Sequence, residues 1–334
     1  MPSAEFALIA ELRDALGQGR AGDGTLIGIG DDAAVLDCGG RALVACTDTL
    51  VAGRHFFADV NAADLAWKAL AVNLSDLAAM GAEPRWALLN LALPVGVAGT
   101  EWRADFIRGW QALASSWALR LVGGDTVSTA GPLTVTVSAL GLLEGPALQR
   151  NAAQMGDDIY VTGTLGDAAL ALERAFAARR GEENALLVGD DWLEQRRLRP
   201  TPRLAFAQAA QQLGARCAQD VSDGFLADLR HILSASRVGA RIDADQLPLS
   251  PPLAGWVAGD WERLSRSALT GGDDYELILC APPSLAVALQ DVARRTATPL
   301  CRVGRILPVE AGVRLFWQDE ERPLPARWGH EHEL

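Results

Sequence analysis

Lysine is almost absent from this chain: Lys68 stands alone beside 29 arginines among the 30 basic residues. A Walker A phosphate loop requires Gly-Lys-Ser/Thr, whereas Lys68 stands in Ala-Trp-Lys-Ala. The absence therefore excludes the P-loop class of nucleotide-binding proteins. The helical pattern around Lys68 predicts a lysine on the surface of a helix, and we do not assign it a catalytic role.

Cysteine and histidine are scarce and scattered. The five cysteines include no CxxC pair, which argues against a disulfide framework and a zinc site. The four histidines form no HExxH motif, no GxSxG nucleophile elbow occurs, and Gly28-Ile-Gly30 lacks the last glycine of the dinucleotide-binding GxGxxG pattern. The chain carries none of these motifs, and we consider instead a chemistry that combines phosphate with a divalent metal.

Long apolar runs and a surplus of bases are missing as well. No run reaches the roughly 18 residues that span a bilayer, and the acidic N-terminal segment is unlike a signal peptide. We therefore expect no membrane partner and a cytoplasmic location. The 42 acidic residues outnumber the 30 basic ones, for a net charge of −12. Without a basic stripe to meet phosphates, nucleic acid is not an expected partner.

The size and the element pattern predict an α/β protein of the α+β type with two mixed domains. We place the first domain at residues 1–145 and the second at 146–334, joined by a crossover rich in Gly, Pro and Ala, and interpret 181–199 as a polar surface excursion. The predicted helices are 5–17, 62–80, 101–119, 168–180, 202–213, 225–236 and 284–295. The predicted strands are 26–29, 33–36, 42–46, 86–93, 120–122, 133–142, 159–162, 216–221, 240–243, 276–280, 301–306 and 312–317.

Aspartate outnumbers glutamate 26 to 16, and its recurrence beside Gly, Ser or Thr is the main chemical signal. Asp and Gly are ordinary turn residues, so any single segment is explained by a turn. Six such segments are harder to explain that way, because carboxylates with hydroxyl oxygens suit Mg²⁺ and the amides of Gly-rich turns suit phosphate. The segments are 28–32, 46–49, 73–76, 123–126, 220–224 and 271–274. We expect 73–76 to lie on a helix and the other five to be turns.

Read in order, these segments resemble the bacterial thiamine-monophosphate kinase family, within the superfamily of aminoimidazole ribonucleotide synthetase and selenophosphate synthetase. The motifs that carry the resemblance are GIGDDAAV, TDTLVAGRHF, WKALAVNLSDLAAMGAEP, LVGGDT, YVTGTLGDAALAL, DVSDGFLADLRHI and LTGGDDYEL. The resemblance covers essentially the whole chain. It implies ATP-dependent phosphorylation of thiamine phosphate to thiamine diphosphate, the last step of thiamine diphosphate biosynthesis. It also implies a homodimer whose N-terminal sheets join into a barrel.

Matching motif by motif, the resemblance also implies the site. The positions that fall on ligands of several Mg²⁺ ions are Asp32, Cys46 through its backbone oxygen, Thr47, Asp48, Asp76, Asp125, Asp220 and Asp223. Those that fall on ATP contacts are Gly124, Asp125, Arg150 and Ser222, and those that fall on thiamine phosphate contacts are His55, Asp273 and His330. No general base is expected, because the acceptor oxygen is a phosphate oxygen that is already ionised near neutral pH.

Two other functions stay open at the level of the sequence. One is another ATP-dependent synthetase of the same superfamily, although the reactive cysteine loop usual in selenophosphate synthetases is missing before Leu26. The other is a non-catalytic protein that binds nucleotide or divalent ions. Turnover with thiamine phosphate separates all three.

Overall fold

Two sheets organise the chain in a computed structural model that describes residues 24–182 and 189–330. The first sheet has the strand order β1-β2-β3-β6-β4-β5. Its neighbours are antiparallel except β4 and β5, which run parallel. Its strands are β1 (Thr25–Ile27), β2 (Ala34–Asp37), β3 (Ala42–Val51), β4 (Glu83–Pro94), β5 (Arg120–Thr129) and β6 (Thr134–Leu142).

The second sheet has the order β13-β12-β9-β11-β7-β10-β8. Only the β9–β12 pair in it is parallel. Its strands are β7 (Asp158–Thr162), β8 (Cys217–Asp220), β9 (Gly239–Asp243), β10 (Leu277–Ala281), β11 (Leu300–Leu307), β12 (Val313–Trp317) and β13 (Glu320–Arg322). The protein is therefore a mixed α/β molecule with two sheet-containing domains.

Helices cover these sheets. The helices of the described residues are α1 (Ala62–Ala79), α2 (Thr100–Ala114), α3 (Asp167–Arg179), α4 (Asp190–Leu198), α5 (Leu204–Gln212), α6 (Phe225–Ser236), α7 (Pro251–Val257), α8 (Trp261–Leu264) and α9 (Ala286–Arg295). A π-helical turn follows α8 at Ser265–Leu269, and short 3₁₀ turns lie at Ser115–Trp117, Arg150–Ala152, Ala244–Gln246, Pro283–Leu285 and Val309–Ala311. None of these helices has the length and hydropathy of a membrane span.

Helix α1 is the central element of the molecule. Asn61 caps its N-terminus by accepting a hydrogen bond from the Ala63 amide at 2.8 Å, and Gly81, with a φ of +75°, follows its end. Of its 18 residues 15 are buried, and most of these are Ala, Leu or Val, which is the pattern of a buried helix. It crosses α2 so closely that a Cβ at Gly109 would lie 2.0 Å from the Ala63 carbonyl oxygen. One hydrophobic core joins α1 and the first sheet to residues of the second domain such as Phe206.

Three expectations about the chain's local structure were wrong, and the predicted helix 5–17 lies outside the described residues. Residues 46–49 and 123–126, expected as turns, lie inside the long strands β3 and β5. Glycine and aspartate there pair in a ladder because neighbouring strands supply the hydrogen bonds that a turn would otherwise supply. The stretch expected as a surface excursion contains α4, in which Leu193, Arg196 and Arg197 are buried.

Candidate active site

Three carboxylates from distant parts of the chain meet at one point. Asp32 lies between β1 and β2, Asp76 on α1, and Asp220 at the end of β8. One oxygen from each lies within 4.8 Å of the others. We call these three residues and Asp48 the acidic cluster, because Asp48 on β3 lies close enough to Asp76 for its charge to raise the pKa of that residue. The helix and both sheets are therefore needed to assemble it.

The carboxylates of the acidic cluster repel one another in a buried setting. Burial, and then the charges of Asp48, Asp220 and Asp32, raise the pKa of Asp76 well above its usual value. Burial also raises the pKa of Asp48, and burial with the charge of Asp32 raises the pKa of Asp220 to about 8. Desolvation and repulsion between like charges both favour the protonated form of these carboxyl groups, and a bound cation would favour the ionised form.

Arg150 is the cation that the structure pairs with this cluster. Its Nη2 donates to Asp32 Oδ1 at 2.5 Å, and its backbone amide donates to Asp31 Oδ2 at 3.2 Å. Burial and the neighbouring Asp32 raise the pKa of Asp31 to about 6, although Arg150 acts in the opposite direction. The predicted ATP contact Arg150 therefore lies directly against a predicted metal ligand.

The residues of the acidic cluster fit a hard divalent cation. Oxygen is the ligand that Mg²⁺ prefers, and a site for it combines carboxylates with water and substrate phosphates. Buried carboxylates that are paired with too few cations are stabilised when a metal replaces their protons. The donor set and the raised pKa values both agree with such an ion.

Two other predicted metal ligands of the first sheet, Thr47 and Asp125, lie on its opposite face, whereas Cys46 lies on the face of Asp48. Successive side chains of a strand point to opposite faces, and the Cys46 thiol contacts the Asn73 carbonyl oxygen of α1 at 3.4 Å. The Thr47 hydroxyl instead donates to the Val137 carbonyl oxygen at 3.0 Å and contacts the Ser138 hydroxyl. The hydroxyl of Thr47 therefore points away from the face that carries Asp48.

Asp125 lies at the far side of the same sheet. It is exposed on the edge strand β5 and pairs in register with Asn90 of β4. Strands β6 and β4 separate β3 from β5, so about 14 Å lies between the Asp48 and Asp125 positions at the usual strand spacing. The neighbouring Gly124, with a φ of +148°, admits no side chain, since a Cβ there would lie 1.8 Å from the Leu89 carbonyl oxygen.

The 220–224 turn brings Ser222 and Asp223 beside Asp220, and a residue that sequence reasoning missed holds this turn. One oxygen of the buried Asp228 carboxylate accepts hydrogen bonds from the amides of Ser222, Asp223 and Gly224 at 3.0, 3.1 and 3.0 Å. These amides, which the Gly-rich sequence suggested for phosphate, are therefore engaged within the protein. The sequence did contain a signal for this contact: Asp228 lies four residues after Gly224, in the first turn of a helix, where a negative charge is favourable.

The predicted substrate contacts lie around this turn and above α1. The His330 backbone amide donates to the Asp223 carbonyl oxygen at 2.9 Å, and the Asp273 amide donates to the Ser222 carbonyl oxygen at 2.7 Å. His55 is half-buried in a tight turn after β3, where its Nδ1 accepts from the Val51 amide at 2.9 Å. Backbone hydrogen bonds thus connect Asp273 and His330 directly to the turn that carries Asp220.

Lys68 lies inside the protein, so its prediction as a surface lysine was wrong. It is 2% exposed, and its Nζ donates to the Asp273 carboxylate and, at 3.0 Å, to the Arg197 carbonyl oxygen. The helix has no solvated face on which a lysine could lie, because the second domain packs over it. The predominance of Ala, Leu and Val along α1 was the signal that could have indicated this burial.

A second buried cluster lies in the second domain, and we call it the Glu276 cluster (Glu276, Arg196, Arg203 and Asp167). Glu276 accepts from Arg203 Nε and Nη2, each at 2.6 Å, and from Arg196 Nη2 at 2.6 Å. Burial acts to raise the pKa of Glu276, but Arg203 and Arg196 outweigh it and lower that pKa. This cluster carries its own cations.

Comparison with known proteins agrees with this arrangement along the whole chain. The family models of the AIR synthase related protein match here, the N-terminal domain at residues 30–143 and the C-terminal domain at 154–315. The thiamine-monophosphate kinase of Salmonella typhimurium is 43% identical over 99% of each chain.

Two solved structures have a similar fold. That of thiamine-monophosphate kinase from Stenotrophomonas maltophilia is 44% identical with a TM-score of 0.75, and covers 96% of this chain and 99% of its own. That of AaThiL complexed with AMPPCP and TMP is 28% identical with a TM-score of 0.80, and covers 98% of this chain and 97% of its own.

Proposed function

This chain belongs to the thiamine-monophosphate kinase family of AIR synthase related proteins, and from that premise we propose that it transfers the γ-phosphoryl group of ATP to thiamine phosphate. The products are thiamine diphosphate and ADP. Since ATP is the phosphoryl donor, we also propose that the reaction takes place in the cytoplasm. The observation that carries the proposal is the convergence of Asp32, Asp76 and Asp220 within 4.8 Å, in a chain whose similarity to a kinase of this name extends over 99% of both sequences.

The reaction presents an electrostatic problem that this site is suited to solve. The acceptor is a phosphate monoester with about −1.5 to −2 charges at pH 7, and ATP is also a polyanion. Coulomb repulsion between them grows as water is excluded. When bound, Mg²⁺ supplies neutralisation of the phosphate charge and alignment of the phosphate oxygens.

The side chains divide this work among them. Asp32, Asp48, Asp76 and Asp220 would hold Mg²⁺ on the α1 side of the sheet. Arg150, beside Asp32, is placed to give a phosphate a charge-assisted contact. The acceptor oxygen needs no general base, so the residues contribute positioning and electrostatic stabilisation. The further ligands and contacts that the resemblance implies are Cys46, Thr47, Asp125 and Asp223 for metal, Gly124, Asp125 and Ser222 for ATP, and His55, Asp273 and His330 for thiamine phosphate.

The proposal includes a homodimer in which the first sheets of two chains pair. The face that carries Thr47 and Asp125 is open, and Leu88 and Val127 on it are 38% and 50% exposed. An exposed edge strand with apolar side chains is a site for association. A barrel closed by a second copy would cover this face, and light scattering is expected to give twice the chain mass; a monomer at working concentration would contradict the dimer.

The activity is tested by ADP release in a coupled assay with thiamine phosphate as acceptor and unphosphorylated thiamine as the matched control. We expect release that depends on thiamine phosphate and on Mg²⁺, and that stops with EDTA. Release that depends on a different acceptor would favour another synthetase of the superfamily. Nucleotide binding with no turnover would favour a non-catalytic binding protein, and either result would overturn the kinase proposal.

A further inference from the structure

The only lysine of the chain lies beneath a predicted substrate contact. Lys68 is 3% exposed at its side chain, whereas the side chain of its partner Asp273 is 33% exposed. The ammonium group therefore lies on the protein side of the carboxylate, and the carboxylate lies between it and solvent. Lys68 Nζ bonds to Oδ2 of Asp273, which leaves Oδ1 outside this ion pair.

The backbone at Asp273 is held in a conformation that ordinary residues avoid. Its φ is +73° and that of Tyr275 is +51°, and such left-handed geometry persists in non-glycine residues where the surroundings impose it. Gly272, just before it, packs so tightly that a Cβ would lie 2.3 Å from the Ser222 carbonyl oxygen. The backbone amides of Asp273 and Tyr275 donate to the carbonyl oxygens of Ser222 and Val221 at 2.7 and 2.8 Å.

Lys68 connects this strained loop to two other elements. It lies eight residues before Asp76 on α1, which is about 12 Å along a helix axis, and its second hydrogen bond goes to the Arg197 carbonyl oxygen of α4. The buried ammonium group donates to two acceptors of the protein itself. It is therefore suited to orient a neighbouring group and not to contact substrate itself.

We propose that Lys68 is a positioning residue for substrate recognition: it holds Asp273 so that the exposed side of the carboxylate faces the ring system of the acceptor. This inference rests on the proposed function. A fixed carboxylate oxygen recognises a cationic or N–H-donating heterocycle, and thiamine phosphate carries a thiazolium cation and an aminopyrimidine. The ion pair also restricts the direction of the carboxylate, since an Asp side chain has several χ1 rotamers and a broad range at χ2.

The kinetic test compares Lys68→Met with Lys68→Arg, which keeps the charge, and with Arg294→Met, which removes the cation of an exposed ion pair with Asp291. We expect Lys68→Met to raise KM for thiamine phosphate at least tenfold, while KM for ATP changes less than twofold. Lys68→Arg should recover part of the loss and Arg294→Met should change nothing. The double variant Lys68→Met with Asp273→Asn should be no worse than Asp273→Asn alone, because both changes remove one interaction.

The single lysine also permits a measurement that does not depend on turnover. Lysine labelled with ¹⁵N at the side chain gives one ammonium resonance in this protein, assigned by its loss in Lys68→Arg. We expect thiamine phosphate to shift that resonance and an ATP analogue to leave it in place. Asp273→Asn should abolish the response to thiamine phosphate.

The outcomes separate this inference from the proposed function. If the wild type phosphorylates thiamine phosphate but Lys68→Met keeps its KM, or raises both KM values equally, the positioning role is overturned and the kinase activity stands. A resonance that does not move at saturating thiamine phosphate also overturns the positioning role, without any kinetics. If the wild type neither binds nor phosphorylates thiamine phosphate, the proposed function fails and this inference fails with it.

Discussion

The acidic cluster and the Glu276 cluster both gather carboxylates, yet the pKa values of Asp76 and Glu276 move in opposite directions. In the acidic cluster burial and like charges raise the pKa of Asp76. In the Glu276 cluster two guanidinium groups lower the pKa of Glu276 despite complete burial. The two regions use the same chemical groups and differ in how many cations the fold supplies for each carboxylate: Arg150 lies beside the acidic cluster, whereas Arg196 and Arg203 both pair with Glu276.

This difference separates a binding site from a structural contact. A buried carboxylate that is fully paired within the fold has no capacity left for a ligand, and removal of one partner strands a charge. A buried carboxylate that lacks a cation costs free energy until a ligand supplies one. We therefore expect that neutralising a carboxylate of the acidic cluster lowers the activity and raises the stability. Neutralising Glu276 should instead lower the stability.

The largest expected effect comes from Asp76→Asn. It removes a ligand from the centre of the acidic cluster, and we expect a loss of kcat of about 10³-fold or more, the scale of a lost electrostatic contact in a transition state. In EDTA the same variant should unfold at a higher temperature than the wild type, because asparagine is neutral without taking up a proton, whereas the raised pKa of Asp76 costs stability at neutral pH. Steady-state kinetics and thermal unfolding measure the two changes.

The matched control for that variant is Asp59→Asn, which makes the same change in the exposed ion pair with Arg179. An exposed pair contributes little to stability, so both readouts should stay at wild-type values. Asp76→Asn with wild-type kcat, or with lower stability in EDTA, would contradict the assignment of the acidic cluster as a site short of cations.

Glu276→Gln should lower the stability instead of raising it, and this is the second largest effect that we expect. Three donors from Arg203 and Arg196 converge on Glu276. The change removes the carboxylate charge that both guanidinium groups share and leaves Arg196 with only its Asp167 contact at 3.6 Å. We expect a loss of about 3 kcal/mol in the free energy of unfolding, at the lower end for a broken buried pair. Urea unfolding measures it, and Glu310→Gln on the exposed 3₁₀ turn is the control. A stability equal to that of the wild type would show that the cluster does not hold the domain.

Much of the fold could be predicted because hydrophobic periodicity is a local property. Helix α6 begins and ends at Phe225 and Ser236 as predicted, and α1 differs by one residue at its end. The strands that contain Asp48 and Asp125 were predicted too short, since Gly and Asp favour turns in isolation. Only the neighbouring strands β6 and β4, distant in sequence, supply the ladder that extends them.

The candidate site could be predicted where the residue type itself indicates the chemistry, as Asp does for metal binding. The repeated Asp segments indicated oxygen ligands, and three of those residues do meet in space. The partners of Lys68, Asp228 and Glu276 could not be predicted, because each depends on a contact across the tertiary fold. A single sequence also does not indicate which strand face a residue such as Thr47 occupies when the strand itself is mistaken for a turn.

The smallest expected effect, and the one that most sharpens the comparison, is the pH dependence of stabilisation by Mg²⁺. The pKa values of Asp48, Asp76 and Asp220 are raised in the folded protein, so the folded state binds more protons than the unfolded state. The free energy of unfolding in EDTA should therefore fall as pH rises from about 4 to about 8. Burial lowers the pKa of His231 to about 4, which acts in the opposite direction below about pH 6.5, so the clean window lies above pH 7.

Mg²⁺ binds the ionised carboxylates, so its stabilisation should be larger at pH 8 than at pH 7. At a concentration of 100 times Kd the gain is about 2.7 kcal/mol. Urea unfolding at both pH values with Mg²⁺ or EDTA measures it, and Asp76→Asn should lose most of the response. Glu276→Gln should keep it, because the pKa of Glu276 is lowered and this group stays ionised across the window. An Mg²⁺ effect that is equal at both pH values would mean that the acidic cluster holds no protons for the metal to displace, and the contrast between the two clusters would then rest on packing alone.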